Sequence, residues 1–266
     1  MRVFVQGVGV LGPGLVGWEA SRTVLAGTQA YRPAAVSVPA SDLLPPAERR
    51  RAGTSVKLAL AVGREALTHA GRAASEMPTV FTSSGGDGDT LHRICESLAT
   101  AEREVSPTRF HNSVHNAPAG YWSIAVKAMA PSTSLCAYDA SFAAGLLEAA
   151  AQVTADGVEV ALIAYDMPYP EPLHAVRPIP EAFGVALVLA PQAGAGALAC
   201  LDIALNHATA GAPSRMDDAA LEALRAGVPA ARSLPLLAAL ARGGAGEVVL
   251  DYLAGSSLRV NMSPCA

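Results

Sequence analysis

The chain has 266 residues, 51% hydrophobic and 16% charged, enough apolar content for one large core or two small ones and far from the compositions of disordered or fibrous chains. A net charge of −4, with Lys and Arg scattered rather than striped, gives no footprint for a nucleic-acid backbone. No apolar run approaches the ~20 residues needed to span a bilayer, and Met1-Arg2-Val3-Phe4-Val5 reads as a strand rather than a leader, so no membrane insertion and a cytoplasmic location are expected.

Residues 3–10 are β-rich and end in Gly-Pro-Gly, after which residues 16–25 carry apolar side chains at helical spacing: strand, turn, helix. A polar, proline-bearing linker over 39–53 feeds a periodic segment, 55–70, that reads as a core helix. A short strand at 79–83, a Gly-Gly-Asp-Gly loop at 85–88 and a helix at 90–100 follow. Then come a helix at 117–129, a strand at 133–137, an alanine-rich helix at 141–153 and a strand at 158–165. Such alternation indicates an α/β layered domain. After a loop with five prolines over 166–181 comes a strand at 184–189, and the tail predicts strands at 198–204 and 247–253 around helices at 217–226 and 234–241.

Several motifs have a chemical and a structural reading. Gly7-x-Gly9-x-x-Gly12 matches a dinucleotide fingerprint, but residues 28–40 hold no Asp or Glu for a ribose. The run Ser83-Ser84-Gly85-Gly86-Asp87-Gly88-Asp89 suits a phosphate or cation, or, as we favour, a strand-to-helix turn with Asp89 as helix cap. His111 and His115 have metal-pair spacing but no third ligand, and read as loop histidines. The four cysteines, Cys95, Cys136, Cys200 and Cys265, form no C-x-x-C pair and read as buried structural thiols. Neither a metal nor another cofactor is expected.

The segment 132–148 has the shape of a nucleophile elbow, a strand running through a tight turn into a small-residue helix. Cys136 falls inside the strand, where a buried thiol competes with a nucleophile.

The text Ser-Pro-Thr-Arg-Phe-His-Asn-Ser-Val-His-Asn-Ala-Pro-Ala-Gly-Tyr-Trp-Ser-Ile-Ala from Ser106, followed by Ala-Pro-Ser-Thr-Ser, resembles the stretch preceding the active cysteine of β-ketoacyl synthases. Residues 2–27, 39–66 and 183–190 resemble the first strand and helix, the arginine-bearing linker and helix, and the last strand of that family's N-terminal half. The resemblance implies a thiolase-like α/β/α half-fold with a mixed five-stranded sheet over 1–190, and leaves 191–266 as a small α/β extension packed on the same domain. Matching Glu148-Ala149-Ala150 to the family's helix puts Asp139 at the nucleophile position; matching Cys136 there would need an insertion. No histidine follows His207, so neither family histidine motif is present.

The group most similar is the half-length ketosynthase-like proteins known as chain length factors of aryl polyene and xanthomonadin-type pathways. The resemblance implies a subunit that is no enzyme by itself, pairs with a full-length ketosynthase, meets acyl carrier protein through that complex and shapes the acyl tunnel. Asp139, Ser141 and Phe142 would then stand at the elbow and tunnel. The strand before the elbow, an edge in the lone chain, would form the interface with Tyr121, Trp122, Ile124, Met129, Ser132, Thr133, Ser134, Leu135 and Cys136. Two other readings remain: an acyltransferase using Cys136 or Ser141 with His111 or His115 as base, and a nucleotide-binding protein using Gly7, Gly9 and Gly12.

Overall fold

The eleven residues Arg2–Gly12 form strand β1, around which the sheet is arranged. A register shift between Val5 and Gly7 in its pairing keeps Val3 and Val5, then Val8 and Val10, on one face of the sheet. Gly7 and Gly9 turn to the other face, where a Cβ would collide with the carbonyl oxygens of Ala66 and Val62. Those glycines therefore let a helix lie directly on the strand.

The computed structural model describes residues 1–206 and 211–265, so His207 lies outside the described residues. After β1 come β2 (Leu15–Val16), α1 (Trp18–Leu25), α2 (Pro46–Arg51) and α3 (Thr54–Ala70). Helix α3 is the one laid on β1; it buries Val56, Ala59, Leu60, Gly63, Ala66 and Leu67 at helical spacing and ends at Gly71 in the left-handed conformation. β3 (Thr79–Thr82), α4 (Gly88–Ala99), α5 (Pro107–Asn112), α6 (Ala117–Val126) and β4 (Ser132–Leu135) follow. Next come α7 (Ser141–Asp156), β5 (Val160–Asp166), α8 (Leu173–Val176) and β6 (Phe183–Ala190). The tail contributes β7 (Ala199–Asn206), α9 (Ala219–Gly227), α10 (Leu234–Arg242), β8 (Gly246–Asp251) and β9 (Ser257–Ser263).

The strands join in one mixed sheet of order β4-β3-β5-β6-β1-β7-β9-β8, with β2 added to β1. The first five are the expected mixed sheet: β4, β3 and β5 run parallel, and β6 is antiparallel to β5 and β1. The tail extends it, because β7 pairs antiparallel with residues 2–5 of β1 and carries the β8–β9 hairpin.

Side-chain alternation along the strands makes two cores. Val160, Leu162 and Ala164 of β5 face α7 and the tail helices, while Ala161, Ile163 and Tyr165 face α3 and α6. The result is the layered α/β/α arrangement, with β4 and β8 at the two edges of the sheet.

Candidate functional site

The turn between β4 and α7 is the expected elbow. Its 3₁₀ turn, Tyr138–Ala140, is braced by buried Ser141, whose Oγ accepts from the Ala137 N–H at 3.0 Å and donates to the Tyr138 carbonyl at 2.7 Å. That hydroxyl is a fastener, with its proton already committed. The Ser141 carbonyl accepts from Thr82 Oγ1 at 2.9 Å, and Phe142 is buried in the core between α7 and the sheet. A Cβ at Gly145 would stand 2.8 Å from both Leu162 Cδ1 and Thr82 Cγ2, so α7 sits as close to β3 and β5 as glycine permits.

Asp139 stands between two guanidinium groups. Its Oδ1 accepts from Arg177 Nη2 at 2.9 Å and its Oδ2 from Arg232 Nη2 at 3.1 Å. The chain of charges continues: Arg232 Nη1 reaches Asp251 at 3.3 Å, Arg225 Nη1 stands 3.9 Å from the same carboxylate, and Arg225 binds Glu222 through two bonds of 2.7 Å. Three arginines thus balance three carboxylates. Bidentate pairing with Arg225 holds the Glu222 carboxyl down at about 2. Arg177 also lies over the Tyr138 ring, its guanidinium carbon 3.5 Å from the centroid.

The backbone strain sits one residue before Asp139, at Tyr138, with φ of 53°. A bulky side chain with positive φ is an outlier, of the kind that elbow turns impose.

The residues weighed for acyl transfer have structural occupations. Cys136, expected as a buried thiol inside the strand, is instead exposed one residue past the end of β4, its Sγ 3.2 Å from the Ser84 carbonyl, and Cys95 on α4 is exposed too. His115 Nε2 contacts the neighbouring Ser83 carbonyl at 3.1 Å, whereas His111, on α5, meets the Tyr121 ring edge-on at 6.1 Å. The two histidines therefore do not act as one pair. Among the described residues, no cluster of three His, Cys, Asp or Glu side chains is placed to hold a metal.

Gly7, Gly9 and Gly12 all lie inside β1, so they make no phosphate loop at a helix N-terminus, and their sequence pattern reflects the packing of α3 and, at Gly12, of the Phe183 ring. The cap of α4 is Asp87 rather than Asp89, because the helix starts earlier than expected, at Gly88; the Asp87 carboxylate accepts from the Thr90 N–H at 2.9 Å and from Ser55 Oγ at 2.8 Å.

Of the side chains assigned to an interface, Tyr121 and Trp122 point inward and are buried, Trp122 against Phe81. Ile124 and Met129 are exposed, Met129 at 95%. Ser132 to Leu135 form the open edge strand of the sheet, and Cys136 lies just beyond it.

Arg177, Arg232 and Asp166 were not anticipated as partners of the elbow region. Asp166, at the end of β5, is fully buried and accepts from the Ser84 N–H at 2.9 Å, Ser84 Oγ at 2.7 Å, Ser83 Oγ at 3.2 Å and the Ala230 N–H at 2.8 Å. Burial pushes its carboxyl up, and these bonds pull it back. A single carboxylate thereby fastens the strand-end loop to the tail. An acidic residue closing an apolar strand was the available signal; its partners were not.

A family model described as the β-ketoacyl synthase N-terminal domain matches residues 18–242. The chain belongs to that family. The match runs through residue 190 into the tail.

Among solved structures, this ketosynthase-family chain is similar to one from the complex of the ketosynthase ApeO with its chain length factor ApeC from Xenorhabdus doucetiae, with a TM-score of 0.74 at 22% identity, covering 98% of this chain and 99% of that one. A chain of the ishigamide ketosynthase/chain length factor gives a TM-score of 0.71 at 16% identity, and a β-ketoacyl synthase from Burkholderia phymatum 0.71 at 13%, each with 100% of both chains covered. No curated protein sequence matches. At these identities the likeness establishes the thiolase-like fold. Among the described residues, no helix is long and apolar enough to cross a membrane.

Proposed function

We propose that the chain is a non-catalytic, chain-length-factor-like subunit that pairs with a catalytic ketosynthase in the cytoplasm and walls the tunnel in which a carrier-protein-bound acyl or polyene chain is extended. The observation that carries the reading is the elbow: the position matched to the nucleophile holds Asp139, and both its carboxylate oxygens are engaged by arginines. A carboxylate so held forms no thioester. In this reading residues 1–190 are the ketosynthase N-terminal-half domain and 191–266 an extension packed on it, for which the pairing of β7 with β1 gives support. The open edge of β4 beside the elbow supports a paired subunit, since an unpaired strand edge invites a further strand.

Co-expression with a catalytic ketosynthase, co-purification, and mass spectrometry after exposure to acyl thioesters tests the reading. The expected result is a stable complex in which the acyl group is carried by the ketosynthase alone. An adduct on Cys136 or Ser141 would establish an acyltransferase instead, and failure to form any complex would remove the subunit reading.

A further inference from the structure

We infer that Tyr138 is the residue this chain presents to its ketosynthase partner as an aromatic anchor, and that Arg177, held by Asp139, positions it. The inference rests on the subunit reading above and gives it a residue.

Tyr138 is 60% exposed, yet its backbone is held at φ of 53°, a conformation that is strained for a bulky residue and persists only where the surroundings over-determine it. The elbow turn sets that backbone, but it does not set the pose of the ring. Lys127, with a similar φ of 55°, is the left-handed cap that ends α6, where such geometry is common, whereas Tyr138 opens a 3₁₀ turn. The surroundings do over-determine it: its carbonyl accepts from Ser141 Oγ at 2.7 Å, and Arg177 stacks on its ring at 3.5 Å while bonded to Asp139 at 2.9 Å.

An exposed ring fixed in one pose has little freedom left to lose on binding, which is what an interface anchor requires. Its place fits. Tyr138 lies three residues beyond the end of β4, and Met129, the most exposed of the large apolar side chains at 95%, lies three residues before its start. A strand of the ketosynthase added to the open edge of β4 would run between these two side chains, and the ring would enter an apolar recess beside it.

The test uses the full chain and the ketosynthase with which the wild-type chain co-purifies, comparing Tyr138→Gly, Tyr138→Phe and Arg177→Met. Glycine adopts positive φ without strain, so Tyr138→Gly should unfold in urea at or above the wild-type midpoint and bind roughly tenfold or more weakly. Tyr138→Phe keeps the ring and should bind as wild type does. Arg177→Met should weaken binding by a smaller factor. Tyr138→Gly binding like wild type would overturn the inference while leaving the subunit reading intact. A Tyr138→Gly chain that loses stability along with binding would make the ring a structural residue and overturn it as well. If the wild-type chain co-purifies with no ketosynthase, the subunit reading fails and this inference falls with it.

Discussion

Asp139 and Arg232 lie 93 residues apart in sequence, and their side chains meet at 3.1 Å, binding the elbow to the segment that leads into α10. Removing the carboxylate leaves Arg177 and Arg232 facing each other without their shared partner. Asp139→Ala should therefore destabilise the chain by roughly 1–2 kcal/mol, a figure that allows for the partial exposure of the site. Chemical denaturation measures it, and the loss should shrink in high salt. Asp139→Cys should show a similar loss and gain no condensing activity, because the chain has neither histidine motif of the family.

Gly145 and Gly120 make opposite predictions for the same substitution. Both lie in helices, where alanine is intrinsically better by about 1 kcal/mol. At Gly145 the added methyl meets Leu162 and Thr82 at 2.8 Å, so Gly145→Ala should be net destabilising, by roughly 1–2 kcal/mol. Among the described residues nothing lies within 4 Å of a Cβ at Gly120, so Gly120→Ala should stabilise by roughly 0.5–1 kcal/mol. Thermal melts of the two variants should move in opposite directions.

Gly9→Ala should be worse than either, near the upper end of the ~1–3 kcal/mol typical of overpacking, because the obstacle is the backbone of α3 rather than a side chain that can turn away. Added nucleotide should leave the melting temperature of the wild type unchanged, since these glycines belong to a strand.

Acid should weaken the fold through Glu222. Its carboxyl lies at about 2 in the folded chain against an ordinary 4.5, so the folded state favours the ionised form. The stabilisation is complete above about pH 4.5 and is lost as pH falls from there toward 2, by roughly 1–2 kcal/mol for a partly exposed pair. Glu222→Gln should flatten that part of the stability–pH curve. A curve of unchanged slope would mean that the Arg225 pair contributes nothing.

Ser134→Pro separates pairing from folding. The Thr79 N–H donates to the Pro131 carbonyl, which sets the phase of the β3–β4 ladder so that the amides of Thr133 and Leu135 face β3 and that of Ser134 faces the open edge. Proline there removes a donor that the lone chain does not use. Stability should change by less than about 1 kcal/mol, while association with a ketosynthase, followed by size-exclusion chromatography, should weaken clearly.

The elements with strong periodicity were legible in the residues themselves. The short, continuous apolar runs of β5 and β6, the helical spacing of α3 and the small-residue run of α7 predicted both type and place, because a short apolar run between turns suits a strand buried on both faces and a 3.6-residue spacing suits a helix. Strand β9 was not predicted although its residues do alternate, Leu258, Val260 and Met262 inward and Arg259 and Asn261 between them. In α6 the apolar residues run nearly all round the helix, so spacing could not say that Tyr121 and Trp122 turn in while Ile124 stays out.

What only the tertiary structure decided is who answers whom across long separations. The sequence put a carboxylate at the elbow; that Arg177 and Arg232 close on it, and that Asp166 ties the Ser83–Ser84 loop to Ala230, depends on how the tail returns to the sheet. Glycines show the same division. The pattern of Gly7 and Gly9 was visible from the start, but only the bulge in β1 and the carbonyls of α3 reveal that close packing, rather than a phosphate, demands them. Local spacing constrains a residue's neighbours along the chain, whereas the partners of a charge or a missing Cβ are set by the surface that folds against it.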